Sequence, residues 1–145
     1  MAILMSTELK NEMLAGVNLI NALDFGVIRI YSGQQPASAD LSPTGTLLAS
    51  VTSNGLAWSQ GESLAGLRLN IIPSIALLVK PQTPWVLAAT TTGTAGWWRF
   101  RSGGEAALRM DGTVGGPDSD LFIGNQQLTA GEQRFIDGFQ IGFFW

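Results

Sequence analysis

Apolar residues first recur with helical spacing, at Leu9, Met13, Val17 and Ile20. Ser6 or Thr7 is placed to cap such a helix and Glu8 suits its first turn. The pattern predicts one helix over about residues 6–23, stopped by the stretch from Asn21 to Gly26. Its capping box is incomplete, because Leu9 holds the position three after Ser6, and Gly16 weakens the middle by about 1 kcal/mol relative to Ala. A helix of this kind packs on a sheet; the sharper reading is an arm that docks on a partner.

After the helix the period changes to two. Val27 to Tyr31 is β-branched and aromatic and ends at Ser32-Gly33, a strand and a turn. Gln34 to Thr44 is a polar loop holding Pro36, Asp40 and Pro43. Thr46 to Thr52 predicts a second strand, and Asn54-Gly55 signals a type I′ hairpin into Leu56, Ala57 and Trp58. Leu64 to Asn70 and Ile75 to Lys80 are further strand candidates, with Pro73 at a strand start or bulge. Trp85 to Thr92 is β-prone and broken by Gly93. Trp97 to Arg101 runs into Ser102-Gly103-Gly104, and Ala106 to Met110 returns toward Asp111-Gly112, a hairpin with a Gly-rich turn. Leu121 to Ile123 is a short strand, and in the closing Gln133 to Trp145 segment Phe139, Ile141, Phe143 and Trp145 share one strand face. Short strands at this spacing predict a mainly β fold, an antiparallel sandwich or jelly roll with one N-terminal α-helix. Residues 1–145 form a single domain on this reading, with the β part over about 26–145.

Composition narrows the chemistry. Only 13% of residues are charged, about half the ~25% usual in globular domains, while 46% are hydrophobic. The chain has no Cys and no His, which removes disulfides, thiolate and imidazole metal sites, Cys nucleophiles and the commonest general base. Lys10 and Lys80 stand beside no nucleophile motif, and the acidic residues nominate no catalytic pair. Gly93 to Gly96 matches neither a phosphate-binding loop nor a dinucleotide fingerprint. Asp111, Asp118 and Asp120 around a Gly-rich loop are candidates for a hard cation, weighed against solvated turn residues; their spacing is not that of an EF-hand. The expectation is a chain without enzymatic activity, cofactor or metal.

The formal net charge is −3, and the eight Lys and Arg residues are spread from Lys10 to Arg134 with no cluster in sequence, which argues against a nucleic-acid partner. The start lacks the basic region of a signal peptide. The longest apolar run, Ile71 to Val79, is interrupted by Pro73 and Ser74 and is far short of the ~20 residues of a membrane helix. The alternating aromatic ending also occurs in the last strand of outer-membrane barrels, but lipid-facing segments of that type do not recur along the chain. No membrane partner is expected.

The aromatic residues carry more. Trp97 and Trp98 are adjacent and so point to opposite faces of a strand. Trp98 and Phe100 are expected inward, with Trp97, Arg99 and Arg101 on the outer face. Trp beside Arg forms cation–π contacts, and both types are enriched at interface hot spots. The competing reading is a Trp97 covered by local loops alone. Phe143, Phe144 and Trp145 put large aromatics on both faces of the last strand, which calls for pairing within a sheet or burial against a neighbour. Trp97, Arg99, Arg101, Phe143, Phe144 and Trp145 are therefore the candidate interface.

Several stretches together resemble a family of small proteins encoded in the structural-gene clusters of tailed bacteriophages. They are the helix around Leu9 to Leu23, Ile28 to Pro36 with Thr44 to Ala49, Gly93 to Phe100, Met110 to Gly115, and Asp120-Leu121. The segment from Trp58 to Trp85 and the aromatic ending depart from the family's pattern. The resemblance implies a virion structural protein, a jelly-roll capsid decoration (cement) protein without enzymatic role. It would be made in the host cytoplasm and seated on the capsid surface, bound to the major capsid protein. Closed symmetry implies a homo-oligomer, a trimer or dimer. A tail or baseplate structural protein is the first alternative. The second is a carbohydrate- or host-surface-binding module stacking sugars on Trp58, Trp85 or Trp97.

Overall fold

In the computed structural model, which describes residues 3–61, 64–104 and 108–142, the N-terminal apolar spacing yields two short helices rather than the one expected over 6–23. Helix α1 (Thr7–Leu14) starts at Ser6, whose hydroxyl accepts from the Leu9 N–H at 3.2 Å. Helix α2 (Leu19–Ala22) starts afresh at Asn18, whose side chain accepts from the Asn21 N–H at 2.9 Å. Between them Gly16 takes φ +104°, a conformation that L side chains rarely adopt, and this breaks the helix. An added Cβ at Gly16 would meet nothing within 4 Å, so only backbone strain opposes it. In an unbroken helix Gly16→Ala would stabilise by about 1 kcal/mol. Here it is expected to destabilise by about 1–2 kcal/mol, and the urea midpoint gives the sign.

The rest is mainly β, 37% strand against 11% helix, in a curled sheet consistent with a sandwich- or jelly-roll-like fold. The strands are β1 (Leu4–Met5), β2 (Val27–Tyr31), β3 (Leu47–Thr52), β4 (Asn70–Ile72), β5 (Leu77–Val79), β6 (Val86–Ala89) and β7 (Gly93–Thr94). They continue with β8 (Trp97–Arg101), β9 (Arg109–Gly115), β10 (Leu121–Phe122), β11 (Gln127–Leu128), β12 (Gln133–Phe135) and β13 (Gly138–Gly142). The main sheet runs β12-β6-β3-β2-β8-β9-β10-β13-β5-β4, with β1 also on β9, while β7 and β11 form a separate ribbon. Its pairs are antiparallel except β9 with β10, which lie parallel at Val114↔Leu121 and Gly115↔Phe122. So short a parallel connection is held by Asp120, whose carboxylate accepts from the Thr113 N–H at 3.0 Å and the Thr113 hydroxyl at 2.9 Å.

Three local expectations change. The strand expected over Leu64 to Asn70 is reduced to an isolated bridge of Leu67 to Gly26, with β4 starting only at Asn70. Gly55 does turn, at φ +76°, with the Thr52 hydroxyl accepting from its N–H at 2.9 Å and donating to the Leu56 carbonyl at 3.2 Å. No strand follows through Leu56 to Trp58, because both edges of β3 are already taken by β2 and β6. Pro73 begins a 3₁₀ turn (Pro73–Ile75) that joins β4 to β5. One apolar cluster links the elements from Leu9 to Ile141. At its centre Phe139 lies 5.5 Å from Trp85 and 5.2 Å, edge-on, from Trp98 (centroid distances), which ties the last described strand into the core. Phe139 and Ile141 are both buried, as the alternation requires; Phe143, Phe144 and Trp145 lie outside the described residues.

Candidate functional site

Pairing of β2, β8 and β9 places three cross-strand rows side by side: Tyr31↔Trp97↔Thr113, Arg29↔Arg99↔Asp111 and Val27↔Arg101↔Arg109. Side chains of each strand alternate in direction, so these odd-numbered positions share one face. The even-numbered positions point the other way, and Ile28, Ile30, Trp98, Phe100 and Met110 are all buried in the core. The inward placement of Trp98 and Phe100 is therefore as the sequence predicts.

Trp97 is on the predicted face but is not exposed: only 1% of it meets solvent. Its ring stacks on Tyr31 at 4.7 Å and 16°, the Arg99 guanidinium sits 5.4 Å from its centroid, and its indole N–H donates to the Thr44 carbonyl at 3.3 Å. The polar loop before β3 thus covers it, and the expectation of an outward hot spot at Trp97 is corrected to burial under the chain's own loop. That loop is pinned at several points. The Thr44 hydroxyl donates to the Gln34 carbonyl at 2.6 Å and Arg109 Nε donates to the Ala39 carbonyl at 2.9 Å. Asp40 accepts from the Thr7 N–H at 2.7 Å and the Thr7 hydroxyl at 2.6 Å. The Thr7 hydroxyl first, then the Thr7 N–H, hold the Asp40 carboxyl below the usual carboxylate range.

Arg99 is also buried, at 6% exposure, in a bidentate pair with Asp111 (Nε to Oδ1 2.6 Å, Nη2 to Oδ2 2.9 Å), and its Nη1 donates to the Leu41 carbonyl at 2.8 Å. Arg101 remains part-exposed, donating to the Gln60 side-chain oxygen at 3.1 Å. Burial first, then the like charges of Arg29 and Arg109, lower its pKa from the ordinary arginine value. Both Arg101 and Arg29 lie against the Trp58 ring, at 5.1 and 5.7 Å, and Trp58 is itself anchored by its indole N–H on the Phe25 carbonyl at 2.9 Å.

The cleft on this face, about 270 Å³, is lined by Arg29, Arg99, Arg101 and Arg109 together with Tyr31 and residues 40–43. Four of the chain's eight Lys and Arg residues meet there, so the absence of a cluster in sequence does not carry over to space. Arg109 lies 3.7 Å from Glu8 and 4.0 Å from Asp40. Among the described residues Arg29 and Arg101 have no carboxylate within ion-pair distance. Arg29, Trp58 and Arg109 were not legible as part of a shared interface, because alternation relates residues only within one strand and the register that joins β2, β8 and β9 is not written locally. The acidic trio does not converge: Asp111 is committed to Arg99 and Asp120 to Thr113, and among the described residues no three carboxylates gather.

A second, separate concavity is apolar. Met13, Leu19 and Ile20 from the helices face Ile71, Ile72 and Leu77 from the β4–β5 hairpin across a groove of about 670 Å³. Ile71 is 50% exposed, and Ile75 and Leu14 nearby in the chain are 55% and 85% exposed. Gly142 pairs with Leu77, so the last described residue of β13 ends beside this groove. No protein-family model, curated protein or solved structure matches the chain.

Proposed function

We propose that this chain is a bacteriophage virion structural protein, a decoration (cement) protein that binds the major capsid protein of the assembled head and stabilises the shell. It acts as a homo-oligomer, a trimer or dimer, on the capsid surface after synthesis in the host cytoplasm. The observation that carries this reading beyond the sequence resemblance is the apolar groove and its exposed isoleucines. A large apolar surface left open among the described residues, on a weakly charged chain, is energetically favoured to meet another protein surface. The chain has no His and no Cys, and among the described residues Asp111 and Asp120 are tied up by Arg99 and Thr113, which supports a structural role.

A tail or baseplate part would use the same kind of surface, and the position of the protein in an electron-microscopy map of the particle separates the two. The sugar-binding alternative has less to work with. Trp85 and Trp97 are each 1% exposed and offer no free ring face, and Trp58 carries two guanidiniums against its ring. The test is co-sedimentation with preformed heads that lack the protein. Saturable binding is expected, weakened at least tenfold by Ile71→Glu with Ile72→Glu, both exposed on the groove lining, while the melting temperature holds. Failure of the natural chain to bind heads, or equal binding by the variant, overturns the proposal.

A further inference from the structure

We propose that the arginine cleft binds a small oxyanion, a phosphate or carboxylate group, between Arg29 and Arg101. The inference is independent of the capsid reading, since the cleft and the apolar groove share no residue.

The strand register supplies the first argument. Arg29 lies directly opposite Arg99, and Arg101 directly opposite Arg109. Like charges directly opposite one another on adjacent strands are destabilising. A chain with only eight cations spends four of them on two such pairs. Asp111 compensates Arg99, and Glu8 with Asp40 stand near Arg109, but among the described residues no carboxylate compensates Arg29 or Arg101. A bound anion supplies the negative charge that no described carboxylate gives these two arginines.

Preorganisation supplies the second. Trp58 holds both guanidiniums against one ring, and Gln60 accepts from Arg101, so the side-chain entropy of placing two arginines is largely met before a ligand arrives. Guanidinium groups present planar forks of donors that match phosphate and carboxylate oxygens.

Size and surrounding charge decide the class. About 270 Å³ lies below the ~300–1,000 Å³ of pockets that bury drug-sized ligands, so the cleft suits a few-atom ion with water. The Asp40 carboxylate on its lining and the net charge of −3 oppose an extended polyanion such as nucleic acid. The ion is either free or displayed on a side chain.

Calorimetric titration and thermal melts at constant ionic strength test this, with inorganic phosphate in one arm, N-acetylglutamate α-amide, whose one carboxylate is that of the side chain, in a second and chloride as reference. Saturable binding of one phosphate or one glutamate per chain is expected, with a rise in melting temperature beyond that in chloride. Phosphate binding alone assigns a free phosphate-type ligand, and glutamate binding alone assigns a side-chain carboxylate. Arg29→Gln with Arg101→Gln should weaken binding at least tenfold, while Arg68→Gln, whose side chain pairs with Asp24 elsewhere, should leave it unchanged. If the double variant fails to fold, Arg29→Lys, which keeps the charge and loses the fork, should still weaken binding several-fold. Binding of neither anion above the chloride effect, or equal binding by the arginine variants, overturns the proposal.

Discussion

Asp111→Ala is expected to lower stability by about 3–5 kcal/mol, the cost of leaving a buried guanidinium without its counter-ion. Asp111 is fully buried, and Arg99 is 6% exposed, with the Leu41 carbonyl its other side-chain hydrogen-bond partner among the described residues. The Arg99 charge cannot turn out to water without displacing the loop that covers Trp97. At about 2–4 °C per kcal/mol for a chain of this size, the melting temperature should fall by roughly 6–20 °C. Replacing both partners by apolar residues, Arg99→Met with Asp111→Leu, should recover most of the loss, because no charge then stays buried. A loss below about 1 kcal/mol for Asp111→Ala would mean that the pair behaves as an exposed one.

Trp98→Ala is the second large effect, expected at about 3–5 kcal/mol from the cavity left by a fully buried indole. Its ring meets Phe139 edge-on at 5.2 Å, and its N–H donates to the Thr113 carbonyl at 2.7 Å, a hydrogen bond that the substitution removes. Across the strand pair Trp98 faces Gly112, where an added Cβ would overlap the Trp98 ring. Gly112→Ala alone should therefore cost about 1–3 kcal/mol as overpacking. The double variant should cost less than the sum by about 0.5–3 kcal/mol, since removing the indole makes room for the methyl. Chemical denaturation of the four chains measures this coupling, and strict additivity would show that the ring and Gly112 do not share the space.

The hairpin of β8 and β9 was readable in advance because it is local: aromatic alternation at residues 97–101, a glycine turn and a returning strand. The same alternation placed Trp98 and Phe100 inward. The single-helix expectation failed at one residue, since periodicity does not report that Gly16 adopts a positive φ. Strand β1 has two residues and shows no period at all; it exists because β9 offers Leu4 and Met5 a free edge at Asp111 and Met110. The Asn54-Gly55 turn was recognised, but the strand expected after it was lost to β6, a competitor more than thirty residues away in the chain.

The candidate site divides along the same line. Alternation along β8 was enough to put Trp97, Arg99 and Arg101 on one face. Whether that face is bare surface or covered depends on a polar loop whose landing place no local pattern encodes. The arginine cleft is further still from the linear chain, because Arg29, Arg101 and Arg109 meet only through the β2–β8–β9 register. Side-chain direction within a strand follows from backbone geometry over neighbouring residues and can be read off the chain. Which strands lie together, and hence which charges face one another, is decided by burial of the whole core at once.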